Sequence, residues 1–346
     1  MPHYSKEKIY LGTDCGATTA KTGGIFADGR LITRALRQSA TLSENGTEAV
    51  INGWVQGAEG FLAENGLSWA EVAGVGLAVP GPYRSYGVLA KTPNLPASFD
   101  GWDFYNDYRR ALESAAGRPI PLITGNDGHF GGVAEAAHIQ RERSGSVLML
   151  SPGSGLGCSF VHADGTLFAG DHGASAIVCH SPLPYRLLDL PLFTCGCGRD
   201  WGCVEPYTSI SGLPQYLEYL LPRYPGHPLA TSEESPKVKA LSLRGLAQKG
   251  DSLALEIFDL QARALGYALA TAAMYFDPTH VVIGGGLMDP EATTPEFRER
   301  YLSGVRAQAI PYLWGPAEEL SIVPSSLGEL SQSIGAALVA RQQFET

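Results

Sequence analysis

The chain has 346 residues, 44% of them hydrophobic, with 25 basic against 35 acidic side chains and a net charge of −10. That excess of anions opposes the phosphate neutralisation on which nucleic-acid affinity depends. No apolar run approaches the ~20 residues of a membrane span, and Met1-Pro2-His3-Tyr4-Ser5-Lys6-Glu7-Lys8 lacks the apolar core of a signal peptide. The expectation is therefore a cytoplasmic protein, with neither nucleic acid nor membrane as partner.

Length favours two domains, and the pattern predicts a seam near residue 125. Before it, residues 9–11, 23–27 and 31–35 read as short strands separated by glycine turns, the second strand ending at Asp28-Gly29. A helix is expected over 48–64, then a buried strand over 72–79 that ends in Pro80-Gly81-Pro82. A strand over 120–124 leads into Asn126-Asp127-Gly128, which opens a helix over 130–138. The early pattern then recurs. Strands over 146–150 and 158–162 flank a glycine-rich turn, and Ala163-Asp164-Gly165 turns into 166–168. Both halves thus open with a glycine-turned hairpin, as a duplicated domain pair facing across a cleft would. Helical spacing follows over 209–221, 234–249 and 253–276, then a strand over 281–284 and a last amphipathic helix over 332–342.

Three glycine-rich turns each follow an apolar strand: Gly12-Thr13-Asp14-Cys15-Gly16-Ala17-Thr18-Thr19, Ser151-Pro152-Gly153-Ser154-Gly155-Leu156-Gly157, and Gly284-Gly285-Gly286. The first two can present backbone N–H groups and hydroxyls to phosphate oxygens, and the third lets a flat base or ribose approach the backbone. A tight hairpin explains each turn equally well when taken singly. No Walker A sequence occurs, and the first turn leads into a strand rather than a helix, so neither the P-loop nor the Rossmann pattern applies. Asp14 is placed to hold Mg²⁺. Asp127, at the C-terminal end of a strand, can take the proton of a hydroxyl that attacks phosphorus, and at an ordinary pKa near ~3.9 it is ionised at neutral pH. A helix N-cap is the competing role for Asp127.

Cys195-Gly196-Cys197-Gly198-Arg199-Asp200-Trp201-Gly202-Cys203, with His180 upstream, offers three thiolates and an imidazole, the ligand set of a tetrahedral structural zinc site. A disulfide and three unrelated core cysteines are the competing readings. The remaining cysteines, Cys15, Cys158 and Cys179, suit a reducing compartment better than a disulfide framework.

Taken in order, these motifs resemble the ROK family of repressors and sugar kinases, over nearly the whole chain. Asp14-Cys15-Gly16-Ala17-Thr18 stands where the family has D-x-G-G-T. Thr92-Pro93-Asn94-Leu95 looks like its sugar-contacting loop, and Asn126-Asp127 like its asparagine and catalytic aspartate. Gly153-Ser154-Gly155-Leu156-Gly157 is similar to the second phosphate loop, Gly284-Gly285-Gly286 to the adenosine motif, and the cysteine segment with Glu205 to the zinc hallmark C-x-C-G-x-x-G-C-x-E. The resemblance implies an α/β fold of two actin-like (ribonuclease H-like) domains, residues 1–125 and 126–331, with helix 332–342 packing back on the first and a nucleotide and sugar cleft between them. It implies an ATP-dependent kinase of a sugar or sugar-like polyol, using ATP, Mg²⁺ and structural Zn²⁺, and expected as a homodimer. Asp127 would be the base. Asn94, Asn126, His180 and Glu205 would grip substrate; Asp14, Gly16, Ala17, Thr18, Gly153, Ser154, Gly155, Gly157 and Gly284 to Gly286 would hold ATP; His180, Cys195, Cys197 and Cys203 would hold zinc.

Two departures stand out. Ile177 occupies the position of a family glutamate that reads ring hydroxyls, which argues against an ordinary glucokinase. The stretch from Pro182 to Phe193 is longer than the family pattern, and Tyr185, Arg186 and Phe193 either reshape the pocket rim or belong to a packed surface loop. Two alternatives belong to other classes. A repressor would need a DNA-binding module, and only about eight residues precede the first strand. A catalytically silent sugar sensor would tolerate Ile177, yet it would not need Asp14, Asp127 and all three glycine motifs.

Overall fold

The computed structural model describes residues 7–16, 18–91, 95–171, 175–315 and 319–345. The chain divides into two compact units, Met1–Arg141 with Glu329–Thr346, and Glu142–Gly328.

In chain order the first unit holds β1 (Ile9–Cys15), β2 (Thr19–Phe26), β3 (Arg37–Ala40), α1 (Thr47–Glu64), β4 (Val72–Val79), the short strands β5 (Tyr83–Ser85) and β6 (Val88–Leu89), α2 (Phe104–Ala116), β7 (Leu122–Asn126) and α3 (Asp127–Gln140). Five strands form one mixed sheet in the order β3-β2-β1-β4-β7, with β1 antiparallel to β2 and parallel to β4. The third strand lies later than its expected place at 31–35. Those residues make a crossing in which Leu31 forms only an isolated bridge to Ile25 and the Ile32 side chain lies over Gly24. The apolar residues there pack, and the polar segment Arg37–Ala40 pairs with β2.

The C-terminal helix Ser331–Phe344 packs on β1, β4 and α3. Its backbone comes so close to the sheet that Gly12 and Gly76 have no room for a Cβ, which would collide with the carbonyls of Ser333 and Ala336. Because α3 packs on this helix, it belongs with the first unit, which runs past the expected seam at 125 to Arg141.

The second unit holds β8 (Val147–Pro152), β9 (Leu156–Val161), α4 (Val204–Thr208), α5 (Leu213–Leu220), α6 (Pro228–Thr231), α7 (Pro236–Ala247), α8 (Ser252–Phe276), β10 (His280–Ile283), α9 (Pro295–Ala309) and β11 (Ser321–Pro324); the C-terminal helix is α10. Its sheet runs β11-β10-β8-β9, with β8 and β9 an antiparallel hairpin and β10 parallel to both β8 and β11. The single helix expected over 209–221 is interrupted. Extended backbone at Ser209 ends α4, and a 3-10 turn at Ile210–Gly212 restarts the chain into α5. The core of this unit gathers Leu148, Leu150, Tyr207, Tyr216, Leu265, Leu269 and Val281, all at most 1% exposed. Among the described residues no helix is long and apolar enough to cross a membrane.

Candidate active site

In the first unit two carboxylates stand at strand ends. Asp14 lies near the end of β1, paired in register with Lys21 on β2 and with Ala78 on β4. Asp127 opens α3 directly after β7. The helix cap is Asn126, whose side-chain oxygen accepts the N–H groups of Gly128 at 3.0 Å and His129 at 3.3 Å. Asn126, rather than Asp127, therefore performs the capping, and its amide nitrogen is the group left to meet a ligand. Burial pushes the Asp14 carboxyl up to about 7, and the charge of Asp127 adds to the rise while Lys21 opposes it. Burial also raises Asp127, against the lowering effect of the Gly128 backbone N–H. The expectation of an ordinary, low pKa for Asp127 is thus corrected: desolvation outweighs the helix N-terminus that would favour its charge.

The first glycine turn is pinned from one side. Thr41 Oγ1 donates to the Gly16 carbonyl at 2.6 Å, and the Thr41 N–H donates to the Thr18 carbonyl at 3.0 Å. Gly16 is half-buried and Thr18 exposed. Ala17 and Asn94, both expected in the site, lie outside the described residues. Lys21 bridges to Glu329 at 3.0 Å. Tyr83, whose hydroxyl donates to the Val79 carbonyl, is raised by burial and also by the charge of Asp127. Sequence reasoning missed Lys21, Thr41 and Tyr83; Lys21 leaves a trace only in the strand register that sets it opposite Asp14.

In the second unit the phosphate-loop candidate Gly153-Ser154-Gly155 is the turn of the β8–β9 hairpin, closed by Gly153 N–H donating to the Gly155 carbonyl at 2.8 Å. It is tied to the turn before α5: Ile210 N–H donates to the Gly153 carbonyl at 2.9 Å and Ser211 N–H to the Ser154 carbonyl at 3.2 Å. Ser154 is exposed, and Gly157 pairs with Ser151 across the hairpin. Glu205, in the first turn of α4, accepts the Leu156 N–H at 3.2 Å, and a Cβ on Gly155 would sit 2.5 Å from its Oε2. A glycine at 155 is what lets the carboxylate reach the loop. Gly284 continues β10, its N–H donating to the Leu150 carbonyl at 2.9 Å, and Gly285 adopts φ 77° with no room for a side chain beside the Pro152 carbonyl. The second and third glycine motifs are therefore neighbours. A cavity of about 90 Å³ beside them is lined by Gly153, Ser209, Leu241, Arg244 and Gly286 among others.

The four expected metal ligands come together. The ligand atoms of His180, Cys195, Cys197 and Cys203 all lie within 4.8 Å of one another. Cys197 Sγ is 3.6 Å from Cys203 Sγ, and Cys195 Sγ is 3.7 Å from His180 Nδ1. These edges match the roughly 3.8 Å edge of a tetrahedron with metal–sulfur bonds of about 2.3 Å. Cys195 and Cys203 are raised, chiefly by burial. Glu205 adjoins the cluster, its Oε1 3.8 Å from Cys195 Sγ.

The long segment after His180 is packed. Leu183 N–H donates to the Gly202 carbonyl at 2.8 Å and Val204 N–H to the Ser181 carbonyl at 2.9 Å, clasping the segment onto the cysteine loop. Phe193 is buried and stacks on Tyr207 with ring centroids 4.6 Å apart, Tyr185 stacks on Tyr207 at 5.7 Å, and the Tyr207 hydroxyl donates to the Pro191 carbonyl at 2.9 Å. Tyr185 and Phe193 thus brace α4, the helix that carries Glu205. Ile177 is 41% exposed and precedes the short 3-10 turn Val178–His180.

The model of the ROK family matches residues 10–343. An N-acetyl-D-glucosamine kinase of Photobacterium profundum is 28% identical over 338 residues, 96% of this chain and 99% of that protein. A glucokinase of Thermotoga maritima is 29% identical over 340 residues, 96% of this chain and 98% of that one. A crystal structure of a ROK hexokinase from Thermus thermophilus superposes with a TM-score of 0.71 at 27% identity, covering 97% and 99% of the two chains. The two α/β units are accordingly those of the actin-like fold that the motifs implied. With the family model spanning both units, the chain belongs to the ROK family.

Proposed function

We propose that the protein is a carbohydrate kinase that transfers the terminal phosphoryl group of ATP to a hydroxyl of a sugar or sugar-like polyol, with Asp127 as general base. The observation that carries the reading is the pair Asp14 and Asp127, two half-buried carboxylates at strand ends whose charges oppose one another. Such a pair suits a site that neutralises one carboxylate with a cation and uses the other to take a proton. The nearly full-length likeness to an N-acetyl-D-glucosamine kinase and a glucokinase supports it.

Phosphoryl transfer asks the protein chiefly for positioning and charge stabilisation. Gly16, Ala17 and Thr18, and Gly153, Ser154, Gly155 and Gly157, offer backbone N–H groups and hydroxyls to phosphate oxygens, and Gly284 to Gly286 accept the adenosine. Asp14 holds Mg²⁺, which neutralises phosphate charge when bound. Asn94, Asn126, His180 and Glu205 orient the acceptor. Asp127 takes the proton of the attacking hydroxyl.

Zinc fits the four ligands His180, Cys195, Cys197 and Cys203 by distance and donor chemistry. Since Nδ1 is the imidazole nitrogen beside Cys195, Nε2 remains for a substrate hydroxyl. The acceptor itself is set by Ile177. An apolar side chain there leaves a hydroxyl of an ordinary hexose without a partner, so the preferred acceptor lacks, inverts or derivatises a hydroxyl near the anomeric end. The test is acceptor-stimulated ADP release across hexoses, amino sugars, anhydro sugars and cyclitols. Stimulation by one of them supports the kinase, and binding of a sugar with no turnover at any concentration would favour a silent sensor instead.

A further inference from the structure

The loop that carries the cysteines holds one large side chain whose position the ligand set does not explain. Between Gly198 and Gly202 the chain runs Arg199-Asp200-Trp201, one residue more than the hallmark pattern has between its two glycines. Both glycines adopt left-handed backbone, φ 79° and 77°. Gly202 is also fixed from outside, since its carbonyl accepts the Leu183 N–H at 2.8 Å and a Cβ on it would sit 2.8 Å from the Tyr185 ring. Trp201, the residue before, is 51% exposed, yet its indole N–H donates to Cys203 Sγ at 3.1 Å. The Arg199 guanidinium lies over the indole, 5.6 Å from the ring centroid, and restrains a side chain that is otherwise half in water.

A half-exposed indole N–H can find its acceptor in water. That it meets a sulfur instead bears on the charge of the cluster, because the indole nitrogen is a donor only. Cysteines bind zinc as thiolates, so three of them with a neutral imidazole around Zn²⁺ leave about one net negative charge. Water does little to offset that charge at two of the sulfurs: Cys203 is 0% exposed and Cys195 2%. The other neighbours of Cys203 Sγ are Cys197 Sγ at 3.6 Å and the His180 carbonyl at 3.7 Å. Once the thiols are ionised both of these only accept, and the indole is the donor that remains among these contacts. A hydrogen bond to an ionised acceptor is roughly twice as strong as one between neutral groups. We propose that Trp201 is a positioning residue of the zinc centre, its indole N–H fixing the charge and direction of the Cys203 thiolate and so retaining the metal that orients the His180 ring. The proposal rests on the zinc reading above and deepens it, by naming a residue that holds the metal without being one of its ligands.

Trp201→Phe keeps an aromatic ring beside Arg199 and removes the N–H, whereas Trp201→Ala removes both. Zinc-loaded wild type and the two variants are challenged with a chromophoric zinc chelator. Each protein is also loaded with Co²⁺, whose thiolate charge-transfer absorption reports on the sulfurs directly. Trp201→Phe is expected to hold zinc about tenfold less tightly than wild type. Its Co²⁺ charge-transfer band should move to longer wavelength, since a thiolate without its hydrogen bond gives up an electron at lower energy. Trp201→Ala should lose at least as much affinity, and the metal-free forms of all three proteins should melt alike, which separates loss of metal from loss of fold. Unchanged zinc affinity and an unshifted band in Trp201→Phe would overturn the proposal and leave the zinc site standing. Weak zinc binding in Trp201→Ala alone would overturn it too, by assigning the effect to the bulk of the ring. So would a metal-free Trp201→Phe that melts well below metal-free wild type, the mark of a merely structural side chain. A wild type that takes up neither zinc nor Co²⁺ would sink the zinc reading and the proposal with it.

Discussion

Replacing Asp14 by asparagine isolates the electrostatic cost of the first loop from its packing, since the two side chains are nearly the same size. In the protein without nucleotide or Mg²⁺, burial and the charge of Asp127 hold the Asp14 carboxyl up to about 7. A carboxyl whose folded pKa lies above its unfolded one binds more protons in the folded state. The folded protein is therefore favoured while the group is protonated, and loses stability as pH rises from the unfolded value through the folded one. At 1.36 kcal/mol per pH unit, the rise from 3.8 to about 7 amounts to about 4 kcal/mol at pH 8. Asp127 shares part of that cost, because each carboxylate raises the other's expense. We expect Asp14→Asn to recover about 2 to 4 kcal/mol at pH 8 and almost nothing at pH 4, seen as a melting temperature higher by roughly 5 to 15 °C in the first unit. The assay is thermal unfolding of metal-free wild type and variant between pH 4 and 8.5, with kinase turnover measured in parallel. Stability should rise while turnover falls, the signature of a charge kept for function. A stability gap that does not grow with pH, or a variant less stable than wild type at pH 8, would refute the claim that a buried charge at Asp14 destabilises the free protein.

Asp127→Asn should lower turnover by about 10² to 10⁴ while calorimetry still shows nucleotide and acceptor binding; near wild-type turnover would remove Asp127 as the base. Its raised pKa should also carry the acid limb of the kcat profile above the ordinary carboxylate range, because the base works only when ionised. Protein purified without added metal should contain one zinc per chain, and Cys197→Ser should lose both the metal and several degrees of thermal stability; well under one equivalent in the wild type would count against the site. Glucose should be a poor acceptor for the wild type, and Ile177→Glu should shift kcat/KM toward glucose or N-acetylated hexosamines about tenfold, from ~1 to 3 kcal/mol per polar group given a partner. Wild-type kcat/KM on glucose above ~10⁴ M⁻¹s⁻¹ would show that another residue has taken over the glutamate's contact.

What could be read from the chain was its backbone chemistry. Gly16 and Gly285 leave a letter in the sequence because a Cβ there would collide with the carbonyls of Thr19 and Pro152, an approach only a residue without a side chain permits. Three cysteines within nine residues were a legible cluster, and the structure brings their sulfurs and the His180 ring together. Less legible were α2, α9 and β11, none of which was foreseen. The caps Asp103 and Thr294 that start the two helices are also ordinary loop residues, and β11 is only four residues long. The third strand was misplaced because Leu31 and Ile32 carry the apolar signal of a strand while the pairing belongs to the polar Arg37–Ala40, where hydrogen bonds and not burial decide. Arg244 and Thr41 were invisible for a different reason: each acts through a contact with a distant glycine, Gly286 or Gly16, and no local pattern encodes its partner. The long segment from Pro182 to Phe193 shows the limit most sharply. Its length was compatible with a reshaped pocket rim and with a packed surface loop, and only the structure shows its aromatic rings stacked on Tyr207, bracing the short helix of Glu205. A five-residue helix cannot hold a carboxylate in place by its own hydrogen bonds. The rings of Tyr185 and Phe193, stacked on Tyr207, and the Tyr207 hydroxyl bound to the Pro191 carbonyl hold that helix from outside instead.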